Sequence, residues 1–325
     1  MATTHLPAQP ESFRGVRPLN LGRDTAQVVR LLNLVFGPTM DQEGQLLDGR
    51  TVINGAAPLV TRLVQFAQGA PPGFVWEENR QVVGNVSLVH SQIAGRYLIA
   101  NVAVHPDYRR RGIAYALMEA AAQAVKRERG RVIYLQVRDD NQDAIHLYQQ
   151  LGFTLVGTMT TWHVRSSQLH TLDVPTPAPT IRPIRGTEWE EAIELDRGCC
   201  HPDLDWPTPV PTTLYKTGFW RWFYNFVNGQ QVETWVTTNQ GKIVGLAQLT
   251  AEFGRPHLFR LRIKPEWQAE LSRPLLAKLI RRLGYMRYRA VALDHPADDQ
   301  TMNDLLRQAG FHPVRTLSTM KCEVK

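Results

Sequence analysis

The sequence predicts an α/β protein made of two copies of one mixed domain. In the first half, short apolar stretches typical of strands follow one another, separated by polar or glycine-containing turns. Further along, strand patterns alternate with stretches whose apolar residues recur every three to four positions, which is helical spacing. Consecutive strands followed by strand–helix–strand units indicate a mixed, largely antiparallel central sheet flanked by helices. Similar short sequences recur in the same order after residue 180.

The elements of the first copy follow from these patterns. Four apolar residues at helical spacing predict a helix over 24–36, and an alanine-rich stretch that ends before Gly130 predicts another over 111–129. The β-rich stretches between turn residues predict the strands. We expect strands at 12–19, 73–77, 81–90, 97–104, 132–137, 154–158 and 162–168, and helices at 24–36, 58–68, 111–129 and 142–151.

Three short matches indicate that the domain is duplicated. They are VRPL at 16–19 with IRPI at 181–184, VHPDY at 104–108 with IKPEW at 263–267, and LGF at 151–153 with AGF at 309–311. Each match is weak alone, but all three keep their order at nearly constant offsets, as a repeat does.

A proline-rich segment, 172–180, separates the copies. Pro175, Pro177 and Pro179 stand at alternate positions, which favours an extended, stiff conformation and stops a helix or a central strand. We therefore expect domains at 1–171 and 181–325 with a linker at 172–180. The alternative is an exposed edge segment within one domain.

Composition narrows the function classes. Apolar residues make up 43% of the chain and charged residues 21%, typical of a globular protein with a buried core. No apolar run is long enough to cross a membrane, no segment resembles a secretory signal, and three cysteines form no disulfide framework, so we expect a cytoplasmic protein. The net charge of +7 is spread over both halves and no nucleic-acid motif accompanies it, so we expect no nucleic-acid partner.

A glycine-containing turn with three arginines carries the chemistry of the first copy. Arg109, Arg110 and Arg111 precede Gly112, where a helix begins. The small side chain of Ala114 leaves room for a ligand at the same place. A helix N-terminus offers unpaired N–H groups and partial positive charge, glycine lets a ligand approach the backbone, and arginine adds charge-assisted donors. This pattern predicts a phosphate site. The alternative is a solvated helix start without a ligand.

A second segment, 138–153, follows a short apolar strand. Asn141 is suited to cap the helix that follows, and Gly152 to end it. Tyr148 lies four residues after Ala144, so both project from one helix face. The alternative for Tyr148 is an amphipathic residue that closes the core.

These two segments resemble the signature of the GCN5-related N-acetyltransferase (GNAT) superfamily. In that family a Gln/Arg-x-x-Gly-x-Gly/Ala loop holds the coenzyme A pyrophosphate, and Arg109, Gly112 and Ala114 match it. The family pattern of Asn, then Tyr seven residues later, then Leu-Gly-Phe is present from Asn141 onward. The resemblance implies that Tyr148 is the catalytic acid near the coenzyme A sulfur. It implies that the following residues bind acetyl-CoA, the co-substrate: Val102, Ala103, Val104, Arg109, Arg110, Arg111, Gly112, Ile113, Ala114 and Asn141.

The resemblance also implies the reaction. An amine of a small molecule or peptide would attack the thioester directly in a ternary complex, with an oxyanion donor from the main chain around Val104, where the strand usually bulges. Related enzymes often carry a glutamate on this strand, but 97–104 has no carboxylate. Candidate bases by position are His90, His105, Glu77, Glu78 and His146, and a water-relayed proton is the default. The alternative function is a CoA-sensing or regulatory module without turnover.

The second copy lacks these residues. Gln268, Glu270, Leu271 and Arg273 stand at the positions of Arg109, Arg111, Gly112 and Ala114, while Asp299 and Leu306 replace Asn141 and Tyr148. We expect it to fold like the first copy without binding coenzyme A, an architecture that resembles mycothiol synthases and some antibiotic-modifying acetyltransferases. Oligomeric state stays open between monomer and homodimer.

Two further features of the second copy have structural explanations. The aromatic-rich segment 214–235 could line an acceptor pocket, contact the first half, or form an aromatic core under the second sheet. Cys199, Cys200 and His201 are adjacent, but neighbouring cysteines rarely chelate one ion well and no second pair exists, so we expect no metal site.

Overall fold

A computed structural model describes residues 13–46, 72–91, 93–199, 201–204, 213–218, 223, 225, 227 and 229–324. The chain divides by its contacts into two compact units. Unit 1 contains 1–39, 56–135 and 322–325, and unit 2 contains 40–55 and 136–321. The units therefore differ in extent from the sequence copies, whose boundary at 172–180 stays a prediction. No described helix is long and apolar enough to cross a membrane.

Unit 1 holds the strands in the order β1-β2-β3-β4-β5. These are β1 Arg14–Pro18, β2 Gly73–Glu78, β3 Gln81–His90, β4 Arg96–Val104 and the first part of β5 Val132–Arg138. Neighbours from β1 to β4 are antiparallel, whereas β4 and β5 pair in parallel from Arg96–Val132 to Ile99–Leu135. The helices are α1 Leu21–Leu46, whose first part belongs to unit 1, and α2 Ile113–Arg127.

The two described helices of unit 1 cover opposite faces of its sheet. On one face, Val28 and Leu32 of α1 pack with Val75 and Ala103. On the other, a Cβ added at Gly84 would lie 2.8 Å from the Ile113 side chain, so glycine at this position lets α2 approach β3 closely.

Unit 2 holds the strand order β12-β6-β11-β10-β9-β8-β7. The strands are β6 Thr154–Val164, β7 Arg182–Pro183, β8 Gln230–Asn239, β9 Lys242–Glu252, β10 His257–Ile263, β11 Val291–Pro296 and β12 His312–Glu323. The helices are α3 Gln142–Gln150, α4 Trp189–Cys199, α5 Gln268–Leu283 and α6 Gln300–Gln308. Only β10 and β11 are parallel neighbours in this order.

The last strand of the first copy, β6, lies within the sheet of unit 2. β6 pairs antiparallel with β12 on one side and with β11 on the other, so it lies between two strands of the second copy. Its Trp162 and Val164 belong to the same buried cluster as Leu275, Leu276 and Leu279 of α5. Because β6 pairs with strands of the second copy, the boundary between the two units falls before the proline-rich segment.

One strand prediction was wrong. The segment predicted as two strands, 154–158 and 162–168, forms the single strand β6, followed by a 3₁₀ turn at Ser166–Gln168. Its polar middle does not interrupt pairing because the hydroxyl groups are bound across the sheet: Thr160 to Thr316 at 3.0 Å and Thr161 to Asp294 at 2.6 Å. The predicted helix 58–68 lies outside the described residues.

Candidate acyl-transfer site

The end of β4 carries a β-bulge. Its register with β3 shifts between the pairs Asn85–Ala103 and Ser87–Ala100, so two residues, Asn101 and Val102, face a single residue of β3. Asn101 has a φ of 55°, in the left-handed region that asparagine tolerates better than most residues. The bulge therefore turns main-chain groups of β4 out of the ladder, next to the predicted segment 102–104.

A buried amide supports this bulge. Asn85 is fully buried, and its Nδ2 donates to the Asn101 carbonyl at 2.9 Å. Asn101 in turn donates from Nδ2 to the Ser87 hydroxyl at 3.2 Å. We did not predict these three residues from the sequence. The polar residues Asn85 and Ser87 interrupt the apolar pattern of 81–90, and they could have indicated a buried hydrogen-bonded cluster.

A tight loop leads from the bulge to helix α2. The 3₁₀ turn Pro106–Tyr108 follows β4, and His105 caps it by accepting a hydrogen bond from the Asp107 N–H at Nδ1. Arg111 donates to the Asp107 carbonyl at 2.9 Å, and its guanidinium lies 4.9 Å from the Tyr108 ring centroid. The arginine-rich segment is thus held close to the start of α2.

Gly112 fits the predicted role of a phosphate contact. It caps α2 with a φ of 74°, and a Cβ placed there would meet no protein atom within 4 Å. The space beside its Cα is therefore open, and the N–H groups of the first helical turn lack helical partners. Among the predicted residues, the Ile113 side chain is buried in the core, which leaves only its main chain for a ligand. Glycine conformation, helix N-terminus and adjacent arginines together suit a pyrophosphate.

Asn141 and Tyr148 lie on helix α3 in unit 2. Asn141 caps the helix by accepting a hydrogen bond from the Ala144 N–H at 3.2 Å. Tyr148 is buried, with its ring centroid 6.0 Å from that of Phe153. Burial raises the pKa of Tyr148 to about 12, so the phenol stays protonated at neutral pH.

Each candidate base in the described residues has another partner. Glu77 accepts hydrogen bonds from Arg17 and Arg23, and Glu78 pairs with Arg14. His90 lies 3.3 Å from the Glu128 carboxylate. His105 caps the turn, as above, and His146 bonds Gln150 at 2.9 Å. The identity of the base stays a prediction, with a water-relayed proton as the default.

The corresponding region of the second copy has a different backbone. β10 pairs with β9 in continuous register from Leu258–Thr250 to Ile263–Gly245, so it has no bulge. A 3₁₀ turn at Pro265–Trp267 is followed at once by helix α5, which begins at Gln268. The positions matching the 109–112 loop are therefore the first turn of a helix. Leu271, at the position of Gly112, is buried.

Comparisons with known proteins find similarity to N-acetyltransferases. The sequence profile of the acetyltransferase (GNAT) family matches residues 50–153. An N-alpha-acetyltransferase from Sulfurisphaera tokodaii is 33% identical over 78 residues, which are 24% of this chain and 47% of that protein. The matched part spans about half the length of this relative. The segment 50–153 therefore matches the acetyltransferase (GNAT) family.

Solved GNAT structures extend the likeness to almost the whole chain. A GCN5-related N-acetyltransferase from Sphaerobacter thermophilus matches with a TM-score of 0.59 at 15% identity, covering 98% of each chain. A tandem GNAT protein from the clavulanic acid biosynthesis pathway matches with a TM-score of 0.52 at 17% identity, covering 95% of this chain and 98% of that one. At these identities the likeness concerns the fold, and it confirms the predicted class of two GNAT-like domains.

Proposed function

We propose that the chain transfers an acetyl group from acetyl-CoA to an amine of a small molecule or peptide. The observation that carries the proposal is the arrangement in unit 1, where the β4 bulge leads through an arginine-rich loop to the glycine-capped start of α2. Acetyl transfer from acetyl-CoA needs two features: a binding site for the pyrophosphate, which is distant from the thioester, and hydrogen-bond donors for the acyl oxygen.

The loop would bind the diphosphate of the donor. Main-chain N–H groups at Gly112, Ile113 and Ala114 would donate to it, and Arg109, Arg110 and Arg111 would offset its charge. Acetyl-CoA supplies the activated acyl group. Main-chain groups at Val102, Ala103 and Val104 would hold the pantetheine arm and stabilise the negative charge that develops on the acyl oxygen. Asn141 would contact the same arm.

Proton transfer is assigned to water and to Tyr148. The acceptor reacts as a neutral amine, so its ammonium must first lose a proton, and the engaged carboxylates and imidazoles favour a water relay. Tyr148 would donate a proton to the departing thiolate, a role that suits a phenol kept protonated by burial.

The test is release of free coenzyme A thiol from the full chain, with acetyl-CoA and a panel of amines that includes peptides with free α-amino groups. Amine-dependent release, with the acetylated product identified by mass spectrometry, supports acetyl transfer. The lack of a carboxylate on β4 favours the second candidate, a CoA-binding sensor. Tight acetyl-CoA binding without turnover against every amine would support the sensor and contradict the enzyme.

A further inference from the structure

A cleft of about 390 Å³ lies within unit 2, at the diverging ends of β10 and β11. The parallel pairing of these strands ends at Leu258–Ala292, whereas β10 continues to Ile263 and β11 to Pro296. The cleft therefore occupies the gap between two splayed parallel strands. Its volume falls within the range of small-molecule sites.

Acidic and imidazole side chains form one wall of this cleft. Asp298 and Asp299 line it where helix α6 begins, together with His295 of β11. Asp299 accepts a hydrogen bond from the Met302 N–H at 3.0 Å, and its Oδ2 lies 2.9 Å from His295 Nε2. Although burial opposes the charged carboxylate, these hydrogen bonds hold the pKa of Asp299 below its usual value, so it is an anion at neutral pH.

His295 supplies an observation independent of the carboxylates. Its side chain is 91% buried, and among the described residues its Nδ1 has no hydrogen-bond partner. A buried polar atom without a partner is costly unless a water or a ligand satisfies it. The imidazole can therefore make one more hydrogen bond to a bound molecule.

The guanidinium group at the cleft is paired with a carboxylate. Arg262 lines the cleft, and its Nε donates to the buried carboxylate of Asp196, which also accepts from Arg260. With Asp298 and Asp299, carboxylates outnumber guanidinium groups by three to two among these five residues, which leaves a net charge of −1. Apolar walls from Leu204, Leu261 and Met302 lower the local dielectric, which strengthens that field.

We propose that this cleft is a second ligand site, which binds a small molecule carrying a protonated amine. The ammonium group would lie against Asp299 and Asp298, and the apolar body against the walls. An anionic ligand such as coenzyme A would be repelled by the same carboxylates. This site is separate from acetyl transfer, and its test does not require the enzyme to be active.

Cys199 lines the same cleft and provides a reporter. Its thiol donates to the Ile263 carbonyl at 3.2 Å and is not in a disulfide. We would measure its modification in the full-length Cys200→Ser/Cys322→Ser variant, using cationic 2-aminoethyl and anionic 2-sulfonatoethyl methanethiosulfonate. The control is the modification rate of Cys322, measured in a Cys199→Ser/Cys200→Ser variant. Cys322 is a thiol that does not line the cleft.

We expect the cation-to-anion rate ratio at Cys199 to exceed that at Cys322 by about tenfold. Asp299→Asn should remove most of the difference, and asparagine should retain the helix cap, as Asn141 does on α3. Putrescine and ethylamine should slow modification of Cys199 by neutral methyl methanethiosulfonate, whereas acetate should not. Equal ratios at both thiols, no effect of Asp299→Asn, no protection by amines, or protection by acetyl-CoA would each overturn the proposal.

Discussion

The asparagine at position 85 is the residue on which the shape of the acyl site depends most. Its amide satisfies the carbonyl of Asn101 at the centre of the bulge, inside a core formed by apolar residues. The register-matched position in the second copy is Leu246, and there the strand pair has no bulge. A buried polar side chain thus accompanies the irregular backbone in one copy, and an apolar one accompanies regular pairing in the other.

Replacing this asparagine with leucine should reduce catalysis more than donor binding. With Asn85→Leu we expect kcat to fall by about 100-fold, because small misplacement of reacting groups costs roughly that much, while KM for acetyl-CoA changes by less than about threefold. Steady-state kinetics on the full chain measure both. Asn101→Gly is the control, because glycine keeps the positive φ and the carbonyl, so its kcat should stay within a few-fold of the wild type. A large loss in Asn101→Gly together with a small one in Asn85→Leu would contradict this role.

Removing the Tyr148 hydroxyl should lower kcat without weakening donor binding. We expect Tyr148→Phe to reduce kcat by about 100-fold, the lower part of the range for a positioned acid, with an unchanged dissociation constant for acetyl-CoA in calorimetry. Because burial raises the pKa of Tyr148 to about 12, the wild-type rate should show no loss attributable to this phenol up to pH 10. Tyr134→Phe removes another buried tyrosine hydroxyl and should leave kcat unchanged. Equal kcat values for Tyr148→Phe and wild type would exclude the acid role.

At the level of elements, the first turn of α2 should determine donor affinity. Gly112→Ala adds a methyl group in the open space that the diphosphate would occupy and forces alanine into a left-handed conformation, so we expect the dissociation constant for acetyl-CoA to rise at least tenfold. Calorimetry measures the affinity and thermal melting the stability. Gly254→Ala is a matched control, since that turn glycine has a φ of 77° and also no atom within 4 Å of a Cβ. Both variants should lose similar stability, about 1 kcal/mol, but only Gly112→Ala should lose affinity.

An arginine–carboxylate pair links the first strand of each copy to the start of the helix that follows, either to its first turn or to the residue just before it. Arg17 of β1 bonds the buried Asp24 of α1 at 2.6 Å and 2.9 Å, and Arg182 of β7 bonds Glu188 at 2.9 Å and 2.7 Å. The arginines belong to the matching VRPL and IRPI sequences. Although burial opposes ionisation of Asp24, hydrogen bonds from Arg17, the Asn20 N–H and Arg23 lower its pKa to about 2.

This pair predicts how stability depends on pH. Since the pKa of Asp24 is lower in the folded state than the ordinary aspartate value of 3.8, its stabilisation is present above about pH 4 and is lost as pH falls toward 2. Asp24→Asn should cost about 1.5–3 kcal/mol at pH 7, because it removes a buried carboxylate that accepts from Arg17 and Arg23, although Arg17 keeps its pair with Glu77. The difference from wild type in urea unfolding should shrink below pH 4. Asp304→Asn, which breaks an exposed pair with Arg307, should cost less than about 1 kcal/mol at pH 7.

Elements with strong periodicity could be predicted from the sequence, and those defined by long-range pairing could not. The strand 81–90 and the start of the helix at 142 were placed correctly because alternation and an asparagine cap are local signals. β6 was divided in two because its threonines resemble a turn until β11 and β12 provide partners. The phosphate-binding loop could be recognised from its sequence motif. The hydrogen bond that supports the bulge could not, because Asn85 lies 16 positions before Asn101 in the chain.

At the scale of the whole molecule, the two copies share a fold but differ where the donor would bind. The first has a bulged strand, a loop and then a helix, whereas the second has a regular strand and a helix that begins at Gln268. Unit 2 cannot be tested by cutting the chain at 172–180, because that would remove β6 from between β11 and β12. The difference between the copies must therefore be measured on the full chain.

Titration of acetyl-CoA into the full chain should give one binding site per chain. With Arg109→Ala/Arg111→Ala the heat of binding should disappear, because the charge-assisted donors of the proposed diphosphate loop are lost. Arg273→Ala is the control at the corresponding turn of the second copy, where the guanidinium bonds Gln308 at 2.8 Å, and it should bind one acetyl-CoA with wild-type affinity. A stoichiometry of two in the wild type, or a residual site of similar affinity in the double variant, would mean that the helical turn at 268–271 opens to admit a diphosphate. The burial of Leu271 against the sheet at Gly245, 3.0 Å from an ideal Cβ there, argues that it does not.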